Sequence, residues 1–205
     1  KTNPNTVIIT NYPIVNKNEN IVRNPTKAIC FAGGVSKQWN HHKILRTIKD
    51  IDGIKYILAG NGTIEYLNML QSLPTWDKVE YWGKVPHSEV KTIYSKSIAG
   101  VALNYSKQVK GKGTLGNTKL FEYMEAKLPI ICSDYPLWKD IVSQYNCGIC
   151  VDPNDVEEIK SAINFIIENP EEAKVMGENG RKAVIEKYNW ETQEKVLLEL
   201  YECIA

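Results

Sequence analysis

The chain has 205 residues, 43% of them hydrophobic, which is enough for one good-sized α/β core and argues against disorder as the main state. Twenty-five Lys and Arg stand against twenty-four Asp and Glu, and the net charge of +1 excludes a global field that would steer nucleic acid or an anionic membrane. No apolar run approaches the roughly 20 residues that cross a bilayer, and the start, with Lys1, Asn3 and Asn5, has no signal-peptide core, so the expectation is a soluble, cytoplasmic chain.

Residues 1–27 are rich in Asn, Pro and Lys around a single apolar run, Val7-Ile8-Ile9-Thr10, and read as a linker with one strand. From residue 28 short apolar runs alternate with helical patterns. The strands fall at 28–32, 55–59, 79–82, 99–104, 129–132 and 148–151, and the helices near 40–50, 63–72, 87–96, 118–127 and 137–144. That rhythm predicts a Rossmann-like α/β fold, a parallel sheet of about six strands with helices on both faces. After Asp152-Pro153 the pattern turns purely helical, with Val156, Ile159, Ile163, Ile166 and Ile167 making one apolar stripe. Asn169-Pro170 ends that helix, and two more follow at about 171–187 and 190–203. Asn189 is the N-cap of the last, and Val196, Leu197, Leu200 and Ile204 form its packing face. Residues 28–205 count as one domain.

The five cysteines (30, 132, 147, 150 and 203) are an odd number in a chain that needs no staple, which favours a reducing compartment. Cys147-Gly148-Ile149-Cys150 matches C-x-x-C, but zinc needs a second ligand pair and the histidines are only 41, 42 and 87. The pair reads as two small apolar residues entering a buried strand, and His41-His42 as exposed helix surface.

The most informative stretch joins a helix start to a carboxylate and a buried strand. The helix is expected to begin near Asn117 or Thr118, after Gly111, Gly113 and Gly116, so that its unpaired N–H groups and positive dipole end face an anion such as a diphosphate. Glu122, one turn in, can accept both hydroxyls of a ribose through charge-assisted hydrogen bonds. Glu125, three residues on, falls on a different part of the helix surface.

Around that stretch the chain carries, in order, Phe31-Ala32-Gly33-Gly34-Val35, Ile57-Leu58-Ala59-Gly60-Asn61-Gly62, Tyr81-Trp82-Gly83-Lys84-Val85-Pro86, Lys119-Leu120-Phe121-Glu122-Tyr123-Met124, Pro129-Ile130-Ile131-Cys132-Ser133-Asp134, Pro136-Leu137-Trp138, Val151-Asp152-Pro153 and Tyr188-Asn189-Trp190. Their co-linear order resembles the C-terminal, donor-binding domain of family 4 (group 1) glycosyltransferases, which adopt the two-domain GT-B fold. The resemblance implies retaining transfer of a sugar from a nucleotide diphosphate donor, which is a substrate, with no cofactor and no metal. The acceptor it implies is a glycan or lipid-linked glycan. Glu122 matches the second acid of the family's Glu-x7-Glu motif and would hold the donor ribose. Gly33 and Gly34 would let the first loop approach the diphosphate, which Asn117, Thr118 and Lys119 would meet from the other side through backbone N–H groups. Residues 84–87, Val85 and His87 among them, would border the base.

Three departures stand out. The first acid of the motif falls on Thr114. The family's first-loop Arg and Lys fall on Gly34 and Trp39, which leaves Lys37, Lys43 and Lys119 as replacement cations. The N-terminal acceptor domain is not in this chain, which is therefore expected to bind donor weakly, to catalyse little alone and to self-associate through exposed apolar surface. A place for the full-length enzyme on the inner face of the membrane stays open.

Two other readings remain. Gly111-Lys112-Gly113-Thr114-Leu115-Gly116 is a literal G-x-G-x-x-G with Asp134 downstream, the mark of an NAD-dependent oxidoreductase, but residues 105–110 separate it from the preceding strand. A non-catalytic nucleotide-sugar-binding module, inactive through Thr114 and Trp39, is the other. Lys107, Lys110 and Lys112 lack the aromatic interleaving of a nucleic-acid site.

Overall fold

The computed structural model describes residues 6–105 and 112–204; the side chains of 203 and 204 are outside it. Six strands, β1 (Ala28–Ala32), β2 (Lys55–Ala59), β3 (Val79–Gly83), β4 (Ala99–Ala102), β5 (Ile130–Ser133) and β6 (Gly148–Val151), form one parallel sheet in the order β3-β2-β1-β4-β5-β6. This is the doubly wound order expected from the βαβ rhythm, and the chain reverses its direction of travel between β1 and β4. In such sheets the crevice at that reversal, beyond the C-terminal strand ends, is where ligands sit.

The helices are α1 (His41–Ile48), α2 (Ile64–Gln71), α3 (His87–Lys96), α4 (Lys119–Glu125), α5 (Pro136–Tyr145), α6 (Val156–Glu168), α7 (Pro170–Glu186) and α8 (Trp190–Ile204). Several boundaries have a local cause. The Thr63 hydroxyl accepts from the N–H of Tyr66 at the start of α2, and the Asp155 carboxylate accepts from the N–H groups of Glu157 and Glu158 at the start of α6. Asn146 ends α5 in the left-handed region at φ 46°. Asn189 caps α8 as expected, accepting from the N–H of Thr192.

Strand side chains alternate between two apolar layers. Ala28, Cys30 and Ala32 of β1 join α3, α4 and α5 on one face, while Ile29 and Phe31 join α1, α2 and α6 on the other. α7 contributes to both layers, Ala173 and Met176 to the second and Ala183 and Val184 to the first.

Two expectations fail. Val7 to Thr10 form no strand: residues 6–27 run as irregular backbone. Their polar groups are satisfied by helices instead, with the Thr10 N–H donating to Gln193 (2.8 Å) and Pro13 accepting from the N–H of Trp190 (2.9 Å). The anchor of this strap is Tyr12, edge-on to Phe121 and Tyr188. His41 is not surface but core, fully buried, with Nδ1 2.8 Å from the Tyr56 hydroxyl; only His42 is partly exposed. The C-x-x-C cysteines enter β6 as small side chains, Cys147 buried and Cys150 half-buried; Cys150 lies opposite Cys132 on β5 with sulfurs 3.7 Å apart, and the four described cysteines are free. Among the described residues no His, Cys, Asp and Glu cluster could hold a metal, and no helix is long and apolar enough to cross a membrane.

α4 is positioned by close backbone contact with α7. A Cβ built on Gly177 would lie 2.0 Å from the carbonyl oxygen of Lys127, so any side chain there must push the two elements apart. Gly177→Ala is therefore expected to destabilise the chain by about 1–3 kcal/mol, read as a lower midpoint in urea at unchanged slope.

Burial also holds the His41 imidazole neutral, with its pKa pushed down to about 3. A folded value below the unfolded one means that the unfolded chain binds the extra proton. Stability from this group is complete above about pH 6.5 and is lost as pH falls towards 3, at up to about 1.4 kcal/mol per unit. In His41→Phe that slope should vanish between pH 6.5 and 4.5 in denaturation series, whatever the offset in absolute stability.

Candidate functional site

The crevice between β1 and β4 is built from the first loop, the segment leading into α4, and α3. Gly33 follows β1 directly, and its N–H donates to Ala59 across the strand ends. A Cβ on Gly60 would sit 1.7 Å from the Gly33 carbonyl oxygen, so the loops after β1 and β2 touch backbone to backbone. A Cβ on Gly33 would meet Cε of Lys119 at 3.0 Å, whereas one on Gly34 would meet nothing, leaving that position open to solvent.

α4 begins where the sequence predicts, with Thr118 ahead of Lys119 as the first helical residue. The N–H of Lys119, one of the expected anion donors, is already given to the Asn117 side-chain oxygen (3.2 Å). Beyond it, Glu122 is held by three donors: the Thr118 hydroxyl at 2.8 Å on Oε1, and the Tyr94 hydroxyl at 2.8 Å and Lys119 Nζ at 2.7 Å on Oε2. The pair is mostly enclosed, at 17% and 19% side-chain exposure. Burial alone would raise the Glu122 pKa; the Lys119 charge and the three hydrogen bonds outweigh it and hold the carboxyl below its usual value. Glu125, without such donors, is raised by burial despite Lys91 and Arg181 nearby.

Two cavities flank this pair. One, of about 360 Å³, lies between α3, α4 and the strap, and is lined by His87, Lys91, Tyr94, Glu122 and residues 19–22. The other, of about 390 Å³, is lined by Gln38, Trp39, Asn104, Thr114, Asn117, Thr118, Lys119 and Trp138. Glu122 faces the first and Lys119 the second. The buried Asn117 Nδ2 in the second is a donor without an acceptor.

The expected site residues thus divide. Glu122 and His87 meet in one cavity, while Asn117, Thr118 and Lys119 line the other, with Gly33 against the Lys119 stem. Val85 is partly buried against the core and lines neither. Lys37 is exposed and also lines neither, and Lys43 is bonded to the Asn154 side chain away from the crevice, which leaves Lys119 as the replacement cation at the site. Thr114 reaches the second cavity, its hydroxyl accepting from the N–H of Gly116 (3.1 Å). Gly111, Lys107 and Lys110 lie outside the described residues.

Sequence reasoning missed Tyr94 and the strap. For Tyr94 the signal was available, because His87, Lys91 and Tyr94 fall at i, i+4 and i+7 on α3 and share one face. The strap carried no comparable periodicity.

The family of glycosyl transferases group 1 matches residues 15–183. The chain belongs to that family. This group 1 glycosyltransferase chain is 30% identical over 168 residues to the O-antigen chain mannosyltransferase RfbU of Salmonella typhimurium, covering 78% of this chain and 44% of that protein. It is also similar to an uncharacterized glycosyltransferase of Methanocaldococcus jannaschii, 27% identical over 180 residues, covering 85% of this chain and 44% of that protein. The chain thus spans less than half the length of either relative. Among solved structures it matches a variant of S. aureus TarM in complex with fondaparinux, alpha-GlcNAc-glycerol and UDP. That match has a TM-score of 0.78 at 15% identity over 95% of this chain and 39% of that one. At that identity the likeness establishes the fold, the Rossmann-like domain of GT-B glycosyltransferases.

Tyr94→Phe removes one charged hydrogen bond from Glu122 without creating a large cavity. It is expected to cost about 1.5–3 kcal/mol of stability and to raise the Glu122 pKa, followed by side-chain carboxyl NMR.

Proposed function

We propose that this chain is the donor-binding domain of a retaining, metal-independent glycosyltransferase, which moves a sugar from a nucleoside diphosphate to a glycan or lipid-linked acceptor. The observation that carries the reading is the ionised Glu122, held between two cavities at the crevice where the sheet order reverses. Its cavity with His87 takes the ribose and base. The neighbouring cavity, with Lys119, Asn117 and Thr118 opposite Gly33 and Gly34, takes the diphosphate and sugar.

On this reading the leaving diphosphate is stabilised by fixed amide dipoles and by Lys119 rather than by a metal ion. Acceptor-side residues come from the part of the protein that this chain does not span, and the isolated chain binds donor but turns over little. The names of the mannosyltransferase relative and of the UDP-bound structural neighbour support a nucleotide-sugar donor and a place in polysaccharide assembly. The protein acts in the cytoplasm, and the exposed Ile8, Ile14, Leu198 and Tyr201 are the surface through which the isolated chain self-associates.

The second reading, a non-catalytic module, is favoured by one observation: Thr114 stands at the first-acid position, and its hydroxyl is engaged by its own loop. An oxidoreductase fits less well, since the loop after β1 carries Gly33-Gly34 and not the glycine fingerprint.

Calorimetric titration of the chain with UDP, GDP, ADP and NADH tests the reading. One nucleoside diphosphate should bind, and Glu122→Ala should weaken it by about 1.5–3 kcal/mol, as loss of charged hydrogen bonds implies. Binding of NADH in preference to all three, or an unaltered affinity in Glu122→Ala, would refute it.

A further inference from the structure

Glu122 as it stands is poorly prepared for a ribose. A carboxylate offers about four acceptor positions, and three are filled: one on Oε1 by Thr118, and both on Oε2 by Tyr94 and Lys119. A vicinal diol needs two, so one internal donor must leave. Tyr94 is 4% exposed, and its hydroxyl would be left buried without a partner, losing its hydrogen bond with no water to replace it. Thr118 is fixed one turn before Glu122 on the same helix start. Lys119 differs from both, being a flexible four-carbon stem that already lines the neighbouring cavity while its Nζ reaches back to Glu122. In that cavity the orphaned Nδ2 of Asn117 marks a place where an acceptor is wanted, and the Lys119 stem crosses Gly33 on the loop nearest to it.

We propose that Lys119 and Glu122 form an exchangeable latch: Lys119 occupies Glu122 until a diphosphate draws its ammonium into the second cavity, which frees the carboxylate for the ribose diol. The inference rests on the donor-domain reading and assigns Lys119 as the positioning residue that couples its two halves. It follows that the diphosphate and nucleoside parts of the donor bind cooperatively, because each is stabilised by the same movement. Linkage requires the coupling to be reciprocal. A nucleoside alone must displace Lys119 without giving it a new partner, so the latch discriminates against ligands that lack the diphosphate.

The test uses the unaltered chain first. Uridine, guanosine and adenosine are titrated with and without saturating inorganic pyrophosphate, alongside UDP, GDP and ADP. The nucleoside matching the diphosphate that binds should gain at least threefold in affinity with pyrophosphate present, although the uncharged nucleoside has no direct attraction to that anion. In Lys119→Met, checked for folding by its melting transition, the diphosphate should bind at least tenfold more weakly, while the free nucleoside binds more tightly and no longer responds to pyrophosphate. Absence of coupling in the unaltered chain, or an equal weakening of nucleoside and diphosphate in Lys119→Met, overturns the latch but leaves the donor reading intact. A weaker diphosphate with an unchanged nucleoside also overturns it, leaving Lys119 as a plain phosphate contact. If no nucleotide binds the unaltered chain, the donor reading itself fails and the latch with it.

Discussion

The position of one short helix governs the site. α4 lies in the apolar layer over β4 and β5 with Leu120, Phe121, Tyr123 and Met124 buried, and the close approach of Gly177 to the Lys127 carbonyl fixes how deeply it sits. Tyr123 reaches back to the backbone of β4, its hydroxyl donating to the Val101 carbonyl. With one face tied to the sheet and another to α7, the remaining face, carrying Lys119 and Glu122, has only the crevice to look into. Packing of this density tolerates little displacement, so the two charged side chains keep their relation to the first loop.

Charge is distributed along α4 accordingly. At its far end two arginines donate to carbonyls: Arg181 from α7 to Glu125, the last helical residue, and Arg23 from the strap to Lys127 in the turn that follows. Cations at a helix C-terminus and a carboxylate near its N-terminus both complement the peptide dipoles. Arg181 also holds the strap through the Asn16 carbonyl and Arg23 through Ser97, so the segment that walls the cavity of Glu122 and His87 is fastened by the groups that complete α4. The irregular strap is thus part of the site and not a passive tether.

The contrast among the polar groups of the core is informative. His41 and Cys30 are fully buried, and burial keeps them neutral, with the Cys30 thiol pushed up to about 12. Among the described residues Glu122 combines burial with a cation and two hydroxyl donors, which hold its carboxyl below the usual value. The cost of desolvating a carboxylate is met there by the Lys119 ammonium and the Thr118 and Tyr94 hydroxyls.

Local sequence determined the alternation of strands and helices, the caps at Asn189 and near Thr118, and the carboxylate one turn into α4, because period, turn chemistry and capping act within a few residues. It also placed Gly33 and Gly34 in the loop after the first strand. Only the tertiary structure decided what distant segments do to one another. Val7 to Thr10 have the composition of a strand but no strand neighbour, and the Thr10 N–H bonds to Gln193 of α8 instead, since a strand forms only where a neighbour offers a ladder. His41 looked like surface because adjacent helical positions diverge, and the sheet then buried one of them. The neighbour of Cys150, Cys132, was set by the register of β5 and β6. Which lysine reaches the crevice, that Tyr94 holds Glu122, and that the carboxylate is nearly full depend on distances between residues far apart in the chain, fixed by packing that no local pattern encodes.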